Sequence, residues 1–457
     1  MKAAAYKDYK PADSLWLPEI PVTWRQIRGR FVMGVNPSPV RLRDLDESDE
    51  VSFVPMEAVG ERGGLNLDRN RPIDEIGSGY TEFEDGDVVI AKITPCFENG
   101  KVALAEGLLN GVAFGTTELH VLRAGKRLDK RFLFYLTTSH TFLSLGESEM
   151  YGAGGQKRVP PEFAKDFRVP LPPLEEQQTI ARFLDAQTSR IDTLVAKKRQ
   201  LIAKLKEKRS ALIARTVTRG LPPEAAQAAG LEPNPEMKDS GVEWLGEIPV
   251  HWLVLPLFRI VRSIQTGPFG TQLHHADYVD DEIPLINPVH LVDGELQPDS
   301  KNTVTPETVE RLSRYKLLAG DLVFARRGDI GRCGVVRPVQ EGWLCGTGSM
   351  VVRLRRESCA PLYYALVFRS SGFSSLLELN AVGTTMLNLN PTIVGRMLVP
   401  VPPLAEQQAT IDFLDRETAQ LDVLTTKVEA VIARLTEYRQ ALITSAVTGK
   451  IDVREAA

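Results

Sequence analysis

Two stretches of the chain carry apolar residues at the spacing of a coiled-coil seam. Leu184, Ile191, Leu194, Leu201, Leu205 and Leu212 follow at intervals of 7, 3, 7, 4 and 7, and Leu414, Leu421, Leu424, Val431, Leu435 and Leu442 repeat the series. A mean spacing of about 3.5 residues draws one apolar stripe along a helix. Prolines open both stretches, Pro170-Leu171-Pro172-Pro173 and Pro400-Val401-Pro402-Pro403, and no Gly or Pro then occurs until Gly220 and Gly449. Proline is tolerated at a helix start, so helices are predicted from near Leu174 and near Leu404, each about 45 residues or roughly 65 Å long. Two equal seams in one chain are most simply satisfied by packing on each other, antiparallel if a two-fold axis relates them. Separate helices, each docked on a globular core, are the alternative.

The seams belong to a larger duplication. Val169–Asp192 and Val399–Asp422 share 13 of 24 residues without a gap, where chance gives roughly one or two. The echo continues through Arg209-x-Ala211-Leu212-Ile213 and Arg439-x-Ala441-Leu442-Ile443, and an earlier pair, Glu19–Trp24 and Glu247–Trp252, differs only at Thr23 against His251. The chain therefore divides into 1–168, a helix over 169–220, a segment 221–398 that opens on a Pro/Ala-rich linker (Gly220–Ser240), and a second helix over 399–457. Short apolar runs closed by glycine turns, such as Val88-Val89-Ile90-Ala91 and Leu322-Val323-Phe324-Ala325, predict strand-rich α+β segments. These two segments resemble each other far less than the helices do. They share the skeleton Gly86-Asp87-Val88-Val89-x-Ala91-Lys92 and Gly320-Asp321-Leu322-Val323-x-Ala325-Arg326 and little else. Similar frames with divergent inserts predict similar partners held by the frame and different things read by the inserts.

Composition narrows the class without deciding it. A 43% hydrophobic and 25% charged chain of 457 residues is ordinary for a globular protein of several units. Its apolar runs fall short of about 18 residues and its N-terminus lacks a signal-like stretch, so a cytoplasmic location is expected. Cys96, Cys333, Cys345 and Cys359 stand singly, which argues against a disulfide framework or a zinc site. The net charge of −4 speaks mildly against a nucleic-acid ligand, yet Lys197–Arg219 holds nine Lys or Arg and one acid.

The helix starts PLPPLEEQQ and PVPPLAEQQ, the stretch MKDSGVEWLGEIPVHW at Met237–Trp252, the tail RQALITSAVTGKIDV at Arg439–Val453 and Thr266-Gly267-Pro268-Phe269-Gly270 resemble the specificity subunits of type I restriction-modification enzymes. The resemblance implies two strand-rich target recognition domains, each reading half of a split, asymmetric duplex DNA site, separated by two antiparallel coiled-coil helices in a pseudo-two-fold repeat. It implies a chain without catalysis or cofactor of its own. Two adenine methyltransferase subunits using S-adenosylmethionine, and restriction/translocase subunits using ATP and Mg, would be its partners.

No motif contradicts a binding role. Asn36-Pro37-Ser38-Pro39 lacks the second adjacent proline and the aromatic of an amino-methyltransferase motif and reads as a turn. Asn99-Gly100-Lys101-Val102 fails as a phosphate loop, the spaced glycines Gly328, Gly331 and Gly334 read as turns, and His274-His275 lacks further metal ligands. Base edges are read by side chains with hydrogen-bonding forks, and phosphates by cations and glycine-loop amides. The expected DNA-binding residues are Lys92, Thr94, Gln156, Lys157 and Arg158 in the first segment. In the second they are Thr266, Gly267, Arg326, Arg327, Thr384, Thr385, Asn388 and Asn390. Gln177, Gln178 and Phe183, with Gln407, Gln408 and Phe413, are expected to dock the methyltransferase. A protein-only scaffold, or a specificity subunit of a complex lacking the nuclease, are the competing readings.

Overall fold

Packing divides the chain differently from sequence order. In the computed structural model, which describes residues 4–61, 63–153, 155–328, 330–381 and 388–455, one unit comprises Met1–Arg199 with Glu429–Ala457 and the other Gln200–Val428. Each long helix is shared between the units. The helices used below are α1 (Lys130–Thr138), α2 (Leu174–Arg219), α3 (Pro361–Arg369) and α4 (Leu404–Val447).

Within the first unit, Leu184 and Ile191 of α2 lie in one core with Leu442 and Ile443 of α4, and Arg439 Nε donates to Asp192 Oδ1 at 3.0 Å. Within the second, Ile213 and Val217 share a core with Ile411 and Leu414, and Arg209 pairs with Asp422 at 3.3 Å. Early residues of one helix meet late residues of the other in both, so the pairing is antiparallel. The covered stripe of α2 is Ile191, Val195, Lys198, Ile202, Leu205, Arg209, Leu212 and Thr216, and the same stripe recurs 230 residues later from Leu421 to Ala446. This alternation of 4 and 3 corrects the expected series. Leu194, Leu201, Leu424 and Val431 are 39–47% exposed, one position off the seam. A count of apolar residues misses the seam there because Lys198 and Arg209 occupy it, burying their stems while their heads stay polar.

Each unit also holds two four-stranded sheets. In the first, β1 (Met33–Val35), β2 (Val88–Ala91), β3 (Val102–Leu104) and β4 (Leu119–Ala124) lie in the order β1-β4-β2-β3. In the second, β5 (Val261–Thr266), β6 (Leu322–Ala325), β7 (Cys333–Val335) and β8 (Ser349–Leu354) repeat it as β5-β8-β6-β7. Alternate strand residues face opposite ways: Val88 and Ile90 enter the core with Phe132 and Leu136 of α1, while Val89 and Ala91 pack on Phe83 and Ala113 of the other sheet. That other sheet contains one parallel pairing in each unit, Val112–Gly115 with Glu50–Val54, and Ile283–Ile286 with Leu344–Cys345. The segments thus share the order of one sheet and the parallel pairing of the other despite their divergent sequences, and differ at that sheet's edge, where Thr81–Glu84 joins Val112–Gly115 in the first unit and Tyr278–Val279 joins Thr303–Val304 in the second. The expected linker is also partly built, with a helix at Pro223–Ala228 and a strand at Met237–Asp239 paired to Glu247–Pro249.

The shared Gly-Asp skeleton has a structural reason. Gly86 and Gly320 turn at φ 96° and 82°, a conformation that favours glycine, and deliver carboxylates that are 1% and 0% exposed. Arg123 of β4 grips Asp87 through Nε and Nη2, both at 2.7 Å, and Arg353 of β8 grips Asp321 at 2.8 and 2.7 Å. Backbone N–H groups of Glu84 and Leu318 complete the carboxylates at 2.9 and 2.8 Å. Removing the arginine of such a pair strands a buried carboxylate, at a cost of about 3–5 kcal/mol. Arg123→Ala is expected to destabilise the first unit by that amount and leave the second unchanged, with Arg353→Ala doing the reverse, as read by hydrogen exchange of β2 and β6.

Candidate nucleic-acid interface

The ends of β2 and β6 lead into the residues singled out for DNA contact. In the first unit Lys92-Ile93-Thr94 meets the returning segment 156–159: Ile93 and Arg158 form an antiparallel bridge, Thr94 N–H donates to Lys157 O at 3.0 Å, and Val159 N–H to Lys92 O at 2.9 Å. In the second unit Arg327 and Asn388 form the bridge, and Leu389 N–H donates to Arg326 O at 3.0 Å. Lys92 N–H and Arg326 N–H bond to Glu118 O and Gly348 O, on the residues preceding β4 and β8. The backbone thereby places Lys92 with Arg326 and Arg158 with Asn388. Segments more than 60 residues apart in sequence become one paired platform in each unit.

The platforms carry different side chains. Arg158 clamps Glu118, Nε to Oε2 at 2.9 Å and Nη2 to Oε1 at 2.7 Å, which chiefly holds the Glu118 carboxyl below its ordinary range. Gln156, Lys157 and Arg327 are exposed, and Lys92 and Thr94 are half-buried, with the Thr94 hydroxyl donating to Lys157 O. Arg326 is only 9% exposed and its Nε donates to Asn388 Oδ1 at 3.1 Å. Burial, and then the neighbouring charge of Arg327, holds Arg326 below the ordinary arginine value.

One expectation is corrected, Gly267, which is buried backbone, and Arg326 and Asn390 each commit a polar atom to contacts inside the chain. Gly267 is buried, donates to Ser349 O at 3.0 Å, and has Gly346 O only 1.9 Å from where a Cβ would sit, so its glycine serves close backbone approach. Asn390 Oδ1 accepts Ile393 N–H at 2.9 Å as the cap of the helix Pro391–Arg396. Thr266 is paired in β5 opposite Met350. Thr384 and Thr385 lie outside the described residues.

The residues that lock the first platform had no sequence signal. Asn36, at φ 53°, exchanges bonds with the Val121 backbone, donating N–H to O at 2.7 Å and accepting at Oδ1 at 2.9 Å. Its Nδ2 lies 3.2 Å from His120 Nδ1, and His120 Nε2 lies 2.9 Å from Val159 O. The imidazole thus carries its proton on Nε2 and accepts at Nδ1. Burial holds its pKa below the ordinary value. The chain bends at Asn36, and Asn36, Pro37 and Ser38 line a cleft beside the platform with Tyr80 and Lys92.

At the helix starts the Gln doublets split into an inner and an outer residue. Gln177 and Gln407 are fully buried; each amide oxygen accepts a backbone N–H, from Asp129 and Ala360 at 2.8 Å, and each amide nitrogen donates to two carbonyls at 2.9 Å. This corrects their place on a docking surface: they tie helix to domain. Phe183 is likewise buried, while Phe413 is half-buried under Arg416. Gln178 and Gln408 face outward, one turn from the exposed Leu174 and Leu404. The adjacent Glu176 and Glu406 accept the indole N–H of the buried Trp24 and Trp252 at 3.0 and 2.7 Å.

Residues 78–204 and 272–434 match the family model described as type I restriction modification DNA specificity domain. The chain belongs to this family. Over 164 residues it is 41% identical to the specificity subunit of the type I restriction enzyme EcoEI and 40% to that of EcoAI, both from Escherichia coli. Each alignment covers 35% of this chain and 27% of the relative, so the chain spans about a quarter of those relatives' length. The MjaVIII specificity subunit of Methanocaldococcus jannaschii is 22% identical over 83% of this chain and 84% of its own. A chain from a structure of complex assembly and conformational transition in a type I R-M system superposes with a TM-score of 0.71, at 19% identity over 94% of this chain and 99% of that one. The HsdS subunit from Thermoanaerobacter tengcongensis gives 0.50, also at 19% identity, over 94% and 98%. At such identities the likeness is one of fold. Among the described residues of this family member, no helix is long and apolar enough to cross a membrane, and no group of His, Cys, Asp and Glu is placed to hold a metal.

Two outcomes follow from the buried polar groups. The unfolded chain protonates His120 near its ordinary pKa of about 6.5, and the folded chain only at lower pH, so the stability it contributes is complete above that pH and is lost as pH falls through it. Urea titrations between about pH 7 and 5 should show the first unit weakening in the wild type and a flatter profile in His120→Gln. Gln177→Ala should cost about 1–3 kcal/mol because it strands buried backbone groups, whereas Gln178→Ala should stay within about 0.5 kcal/mol of wild type in the same titration.

Proposed function

We propose that this chain is the DNA-recognition subunit of a type I restriction-modification complex, reading a bipartite and asymmetric duplex site with one half per unit. The observation that carries the reading is the platform built twice on one backbone plan with different accessible side chains, Lys92, Gln156 and Lys157 in one unit, Arg327 in the other. Identical frames place the readers alike, and unlike side chains recognise unlike base edges. Gln156, Lys157, Lys92 and Arg327 are the polar groups on these platforms with access to a ligand.

Chemistry then belongs to the partners. The two exposed helix starts, around Leu174 with Gln178 and Leu404 with Gln408, support the docking of two methyltransferase subunits, one for each copy of the frame. Adenine methylation from S-adenosylmethionine would be theirs. ATP- and Mg-dependent translocation and cleavage would belong to restriction subunits joining the same assembly, in the cytoplasm. This chain supplies sequence choice and no catalysis.

Independent readers make a sharp expectation. Replacing residues 25–168 with the corresponding insert of a related protein should change one half of the methylated motif and preserve the other half and the unread gap, as seen by methylome sequencing of cells carrying the complete system. A motif altered in both halves, or in neither, contradicts the proposal.

A further inference from the structure

The duplication provides an internal control for the basic run on α2. The covered seam recurs 230 residues later at every position, but the cations do not: Lys204, Lys208 and Arg215 correspond to Arg434, Tyr438 and Ser445 of α4. Since α4 forms the same antiparallel pairing with one cation at those three places, packing does not call for three. All three are exposed on one flank of α2, at spacings of 4 and 7 residues, and none makes an ion pair or a side-chain hydrogen bond among the described residues. Like charges one turn apart also disfavour a helix slightly. The row is therefore held against a small cost to the helix, with Glu207, the acid of the run, three residues from Lys204 and about 60° round the helix from it.

Its surroundings in the second unit mix cations with acids: Arg209 pairs with Asp422, and Arg369 lies near Asp293 and Glu295. Next to Lys208, Arg209 faces the seam, and its charge reaches Arg369 at the end of α3. Arg369 is half-buried and lines a cleft with Gly294, Gly331 and Arg332. Arg332 closes the loop that Arg326 and Arg327 open, between β6 and β7. Arg209 and Arg369 thus have acids beside them within the unit, whereas the three cations on the flank of α2 form no ion pair among the described residues. From Lys204 to Arg215 the row is about 16 Å long, close to five phosphates along one strand at roughly 3.4 Å each.

We propose that Lys204, Lys208 and Arg215 hold the phosphate backbone of the duplex beside the half-site read by the second unit. This rests on the DNA-recognition reading above and adds to it a sequence-independent grip supplied by the helix, acting on bases that no loop reads. A row of unpaired cations along one helix flank suits a polyanion of regular spacing, and duplex DNA is the polyanion that the DNA-recognition reading supplies.

The test uses the purified full chain, a labelled random-sequence duplex and a range of salt concentrations. In Lys204→Gln/Lys208→Gln/Arg215→Gln, glutamine preserves helix propensity. Its plot of log affinity against log salt should be shallower than wild type by between about two and three, at about 0.9 per phosphate contact. Lys7→Gln/Lys126→Gln, exposed cations of the first unit, should move it little. An unchanged slope in a triple variant of wild-type helix content overturns the proposal. So does a triple variant that keeps the wild-type slope but no longer retains a methyltransferase co-expressed from the same system, since the row then serves a protein surface. Absence of salt-sensitive duplex binding by the wild-type chain itself would instead remove the DNA-recognition reading on which the proposal stands.

Discussion

The antiparallel seam between α2 and α4 is the interaction on which the remainder of the structure depends. Each unit's core is completed by residues from both helices: Leu442, Ile443 and Val447 lie with Trp24 and Phe132 in the first, and Ile213 and Val217 with Tyr363 and Phe368 in the second. Residues 1–168 are thus not a self-sufficient core. They need the helix that follows them and also the final helix of the chain. A two-helix seam buries only part of each side chain, which is why its middle positions are half-covered while the ends, roofed by a domain, are buried. Arg209 and Arg439, paired with Asp422 and Asp192, fix the same register in both units.

Because the frame is fixed by buried polar groups, the loops are free to diverge. Asp87 with Arg123, Gln177 with its three backbone partners, and Trp24 with Glu176 all have counterparts of the same geometry in the second unit. Each is satisfied, so each specifies position instead of costing stability. The backbone bonds that hang the platform loops from this frame are the same in both units, Val159 to Lys92 and Leu389 to Arg326. A backbone bond is indifferent to side-chain identity, and that indifference lets one scaffold carry two recognition surfaces.

How much of this the sequence disclosed follows from the range of each interaction. The long helices, their proline starts and their antiparallel pairing were legible because they repeat locally and twice. The middle of the seam was misread because Lys198 and Arg209 are seam residues by geometry and polar by composition. Within the Gln doublets, sequence could not distinguish the buried Gln177 from the exposed Gln178, whose side chains leave the helix about 100° apart. Asn36, His120 and Val159 meet across 84 and 39 positions, and nothing in an isolated histidine announces such a lock. The clusters at Lys92 and Arg158 were found by residue type, and their adjacency is a product of topology that no local pattern encodes.

Comparison of the two copies sorts residues by what constrains them. Where side chain, burial and partner all recur, as for Arg123 and Arg353, the residue builds. Where the backbone bridge recurs and the side chain changes, as for Ile93 and Arg327, the backbone builds and the side chain is free to differ. Where the position recurs on an exposed flank and only the charge changes, as for Lys208 and Tyr438, neither packing nor the platform explains the choice. Such a residue answers to something outside the chain. In a protein of net charge −4, the concentration of cations on one helix is then a statement about where a polyanion lies, because average charge governs solubility while local charge governs contact.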